Sequence, residues 1–73
     1  MYILVIIIQI FYSKHSLEKM DGLGIEKSEI ENIILKGMKW KENEDKWHAS
    51  MAGMECVFIK KEGSIFVITV YKE

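Results

Sequence analysis

The chain has 73 residues, 49% of them apolar and 29% charged, and a formal net charge of −1. So short a chain forms one domain, residues 1–73, with a core in which every apolar residue counts, and has no room for a second domain or a large cofactor cradle. The near-neutral charge excludes a protein that grips nucleic acid with its whole surface, and the single cysteine, Cys56, excludes an internal disulfide.

Tyr2 to Tyr12 carries ten apolar residues in eleven, interrupted only by Gln9. The run is shorter than the roughly 20 residues a spanning helix needs. No basic residue precedes it, and Lys14-His15 stands where a signal peptide would have small residues, so neither membrane insertion nor secretion is expected and a cytoplasmic location follows. Its β-branched residues, Ile3, Val5, Ile6, Ile7, Ile8 and Ile10, predict a strand.

Ser13 is the predicted cap of a first helix through Ser16, Leu17 and Met20, ended by Gly22 and Gly24. Glu26 is the predicted cap of a second. Glu29 then lies at its third position, and Ile25 and Ile30 are placed to staple its start. Ile30, Ile33 and Ile34 form one apolar stripe, and Lys36-Gly37 closes the helix.

From Trp40 onward the period becomes two. Lys46 to Met51, Met54 to Lys61 and Ser64 to Lys72 are predicted strands, joined by Ala52-Gly53 and Glu62-Gly63 at two-residue hairpin length; a short strand at Met38 to Lys41 precedes them. Counting from these turns sets Phe58 opposite Val67, Cys56 opposite Thr69 and Met54 opposite Tyr71. It also sets Ala49 opposite Cys56 and Trp47 opposite Phe58. These residues form one apolar face for the helices. His48, Ser50, Glu55, Val57, Ile59, Lys61, Phe66, Ile68 and Val70 fall on the other, which two short helices cannot also cover. That face is expected to meet a partner, most simply a second copy in a homodimer. The fold class is α+β: an N-terminal strand, two short helices, then a three- to four-stranded antiparallel meander.

His15, His48 and Cys56 have no metal-ligand spacing, and no glycine-rich phosphate motif is present, so no metal or cofactor is expected. Lys41, with Lys36, Lys39 and Trp40, makes a small basic and aromatic cluster that could touch a substrate, as could His48 on the open face.

The order of elements resembles the RelE/ParE-like toxin superfamily. Ser13-Lys14-His15-Ser16-Leu17-Glu18-Lys19-Met20 is similar to the His-x-x-x-Arg-Met opening of a small domain-of-unknown-function family within it. Gly24-Ile25 followed by an acidic helix, and Val67-Ile68-Thr69-Val70-Tyr71 as a closing Thr-x-Tyr strand, resemble the same family. The likeness covers about residues 10 to 73. This chain has Lys19 and Leu23 where the family usually has arginine, which removes positive charge. The resemblance implies a toxin-type ribonuclease acting on RNA during translation, with RNA or the ribosome and an antitoxin-like protein as partners. RNA cleavage needs an acid, a base and a cation. The resemblance thus implies His15, Lys19 and Tyr71 as catalytic residues, with Thr69 holding the substrate beside His48 and Lys41. A non-catalytic protein-interaction module, or a structural homodimer using the open sheet face, is the alternative.

Overall fold

The computed structural model describes residues 9–73. It is an α+β domain in which two helices cover one face of a five-stranded mixed sheet. The elements are β1 (Gln9–Tyr12), α1 (Lys14–Leu23), α2 (Lys27–Lys36), β2 (Met38–Lys41), β3 (Lys46–Met51), β4 (Met54–Lys61) and β5 (Ser64–Lys72). The strands lie in the order β1-β5-β4-β3-β2. The strand predicted at Tyr2 to Tyr12 is present at Gln9–Tyr12, and its earlier residues lie outside the described ones. No helix among the described residues is long and apolar enough to cross a membrane.

Strands β2 to β5 pair antiparallel in chain order, whereas β1 pairs parallel to β5. The sheet is therefore mixed rather than an antiparallel meander alone. The parallel pair arises because the helical hairpin α1–α2 and the meander return the chain to the side of β1, a crossover that two-residue turns cannot make.

Local signals explain the helices. The Ser16 amide donates to Ser13 Oγ at 3.0 Å, and Ser13 Oγ donates to the Ile68 carbonyl at 2.8 Å. One serine thus caps α1 and fastens it to β5. Helix α1 runs through Gly22 and ends only at Gly24, whose φ of 70° needs no strain in glycine. In α2 the Glu26 amide donates to Glu29 at 3.0 Å, and Ile25 and Ile30 are both buried. Gly37 has an ordinary φ of −72°. It is required for another reason: a Cβ there would stand 2.5 Å from the Ile33 carbonyl and 2.6 Å from that of Ser50.

Met20, Ile25, Ile30, Ile33 and Ile34 of the helical side pack on Ala49, Cys56, Phe58, Ile65, Val67 and Val70 of the sheet. Burying each large side chain contributes about 1.5–3 kcal/mol. Helix α1 packs against β5, and α2 against β3 and β4.

The β3–β4 register is the one the turn predicts, with Trp47 opposite Phe58 and Ala49 opposite Cys56. The β4–β5 register holds from Lys61–Ser64 to Phe58–Val67 and then slips by one. An extra residue, Ile68, is accommodated, so Val57 faces Thr69, Cys56 faces Val70, Glu55 faces Tyr71 and Met54 faces Lys72. A bulge of this kind reverses the faces of all that follows. Val70, expected on the open face, is fully buried in the core. Thr69 and Tyr71, expected on the apolar face, take the alternation of the open one.

Candidate functional site

The α1–β5 corner is built by the capping serine and the bulge. Strand β1 pairs only with Ser64 to Val67 of β5, so beyond Val67 that edge is open to the start of α1. There the Ser13 amide donates to the Val67 carbonyl at 3.0 Å, and Ser13 Oγ to that of Ile68. Helix α1 then carries His15 and, one turn on, Lys19. The Lys19 ammonium lies 4.8 Å from the centroid of the Tyr71 ring, within the range of a cation–π contact. Two of the three residues expected to be catalytic are thus in contact. His15 is exposed on α1. Thr69 is half-buried in β5 opposite Val57.

His48 and Lys41 are separated by the sheet. Lys41 pairs with Trp47 on the helix-covered face, its ammonium 5.7 Å from that ring. Lys39, on the same face, donates to the Ile34 carbonyl at 2.8 Å and the Gly37 carbonyl at 3.1 Å, closing the end of α2. Trp40 is on the open face, stacked on His48 with ring centroids 5.1 Å apart and planes 10° from parallel. The basic and aromatic cluster expected around Lys41 is therefore divided between two faces, because neighbouring strand residues point to opposite sides. Of the expected substrate-binding residues, His48 and Thr69 share one row, on either side of Val57, and Lys41 is excluded from it.

His48 is bound more tightly than a surface-strand histidine. Its Nδ1 lies 3.0 Å from Glu55 Oε2 and its Nε2 lies 2.8 Å from Glu42 Oε1. Hydrogen bonding to Glu55, then to Glu42, raises its pKa above the ordinary 6.5. Glu42 is held below the ordinary carboxylate range by hydrogen bonds from His48 and Lys46. The sequence reading missed this cluster, although the correct β3–β4 register sets His48 diagonal to Glu55. Both ring nitrogens are spent on carboxylates, and among the described residues no group of three or more histidine, cysteine or acidic side chains is arranged to hold a metal ion.

Cys56 is fully buried, and desolvation pushes its thiol up to about 12, which leaves it a small hydrophobe rather than a nucleophile. A groove of about 470 Å³ on the helical side is lined by Ile34, Leu35, Trp47, Phe58 and Ile65 among others. Its lining holds no carboxylate, histidine, cysteine or hydroxyl; of its two lysines, Lys39 and Lys60, the first is already used by α2. The open face instead carries exposed Phe11 and Phe66 directly opposite each other on β1 and β5. Exposed Met38 and Trp40 stand at its far edge.

Comparison with protein-family models, with curated proteins and with solved structures finds no match for this chain.

Proposed function

We propose that the chain is a RelE/ParE-like small protein that acts on RNA as a toxin-type ribonuclease, with its site at the α1–β5 corner. The observation that carries this reading is the Lys19–Tyr71 contact. Residues 52 positions apart, both drawn from the motifs of the resemblance, meet across two elements that Ser13 pins together. The chemistry is transfer of an RNA phosphodiester to its own 2′-hydroxyl. The 2′-oxygen bonds to phosphorus, the 5′-oxygen leaves, and a cyclic phosphate remains. His15, exposed on α1, takes the proton of the 2′-hydroxyl and returns it to the leaving 5′-oxygen; Lys19 opposes the extra negative charge of the phosphorane; Tyr71 and Thr69 hold the nucleotide. With lysine in place of arginine the phosphate meets a point charge rather than a bidentate fork, so binding of RNA by the isolated chain is weak. The test is induced expression in a bacterial host with growth and message integrity as readouts. Arrested growth with cut message is expected, and His15→Ala should reduce cutting by roughly two to four powers of ten while leaving the fold intact. Normal growth and intact message at high expression would end this reading.

A second reading is a non-catalytic interaction module or homodimer using the open face. It is favoured by the exposed Phe11–Phe66 pair. It is favoured also by lysines already paired with acids, Lys46 with Glu42 at 3.2 Å and Lys61 with Asp45 at 3.6 Å. Exposed aromatic groups on a face whose Lys46 and Lys61 are already paired suit a protein partner, a second copy or an antitoxin-like protein, better than a polyanion.

A further inference from the structure

We propose that Trp40, Glu42, His48 and Glu55 form a proton-operated clasp, which holds the β2 edge and the loop after it on the sheet while His48 is charged and releases them when His48 is neutral. The geometry demands the charge. A neutral imidazole has one N–H. Here both ring nitrogens face carboxylate oxygens, at 3.0 and 2.8 Å. Only imidazolium donates to both; losing its proton turns one contact into a lone pair facing an anion.

Strand β2 is held by its ladder to β3 and by Lys39 on the end of α2, and His48 adds a side-chain contact to it. The strand has four residues, all exposed, and among the described residues β3 is its one strand neighbour. Glu42 immediately follows it, and Trp40 within it stacks on the His48 ring. One imidazolium therefore bridges β4 through Glu55, β2 through Trp40 and the β2–β3 loop through Glu42. The groups around it are these two acids and Lys46 of β3, which shares Glu42 at 3.2 Å; on β5 Tyr71 is the register partner of Glu55, with its ring against Lys19. When His48 is neutral, the Glu42 carboxylate keeps Lys46 as its partner and the Glu42 amide still donates to the Lys46 carbonyl at 2.8 Å, while one face of the Trp40 indole loses its cation. The edge that opens lies at the rim of the open face, so the clasp would set how much of that face a partner can reach.

The test is a pH titration of the 73-residue chain by nuclear magnetic resonance, following the two histidine rings and amide exchange in Met38 to Lys41. The expected result is a His48 midpoint above 6.5 that falls in both Glu42→Gln and Glu55→Gln. Exchange of the β2 amides, corrected for intrinsic pH dependence, should accelerate at least several-fold across the same titration while the β4 amides stay protected. A His48 midpoint at or below 6.5 in the wild-type chain would overturn the proposal. So would β2 protection that does not change as His48 titrates. Neither readout requires a variant to fold.

Discussion

At the residue scale, burial and hydrogen bonding decide what each titratable group can do. Tyr12 packs at the border of the core, where burial raises its pKa and its hydroxyl is, among the described residues, a buried side-chain oxygen without a hydrogen-bond partner. An unsatisfied buried hydroxyl costs about 1–3 kcal/mol. Tyr12→Phe should therefore raise stability by about 1 kcal/mol in urea unfolding, where loss of a made hydrogen bond would lower it. His48 gives stability a dependence on pH whose sign follows from its raised pKa. Its contribution is complete below the unfolded value of 6.5 and is lost as pH rises through the folded value. Glu42, with its lowered pKa, contributes fully above its unfolded value of 4.5, and the contribution is lost as pH falls through the folded value. The Tm difference between wild type and His48→Gln should thus be largest between pH 4.5 and 6.5 and shrink on either side. Of these residue properties only the inertness of Cys56 was legible in the sequence, because burial follows from register whereas the reach of Glu42 depends on how an exposed loop folds back.

At the element scale, caps, stripes and turns are short-range signals, and the helices and hairpins follow them closely. The bulge is different. Nothing in Ser64 to Lys72 marks Ile68 as the extra residue, since the strand carries apolar residues at both parities, Ile65 and Val67 on one and Phe66, Ile68 and Val70 on the other. The consequence falls on the candidate site: the sequence register puts Thr69 and Tyr71 beneath the helices, and the bulge brings them to the open side, with Tyr71 against Lys19. The turns carry their own prediction. Ala52 and Glu62 have φ of 53° and 48°, each followed by a glycine with positive φ, the pattern of a type I′ hairpin. A side chain in the left-handed region costs roughly 1–2 kcal/mol, and asparagine tolerates it best. Ala52→Asn and Glu62→Asn should each stabilise the domain by about 0.5–1 kcal/mol, read as a higher urea midpoint with unchanged slope; a lower midpoint would contradict the turn geometry.

At the scale of the whole molecule, two helices cover one face of a five-stranded sheet, and among the described residues no helix covers the other. Of the five apolar residues expected to be exposed there, Phe66 is; Val57 is buried, and Ile59 and Ile68 are half-buried. Val70 has moved into the core, and Phe11 has joined Phe66 through the parallel pairing of β1. If the open face joins two copies, light scattering at micromolar concentration gives twice the chain mass, and Phe66→Glu gives soluble monomer. A single-chain mass for the wild-type protein would remove the dimer. The catalytic account rests instead on one corner, where α1 and β5 bring together residues from opposite ends of the chain. Its most direct test is cleavage of a labelled message in a translating extract by purified wild-type protein, His15→Ala and Lys19→Ala, with circular dichroism confirming that all three are folded. Cuts ending in a cyclic phosphate are expected with the wild-type protein, and their loss, by roughly two or more powers of ten, in both variants. An uncut message, or cutting that survives both substitutions, would contradict it.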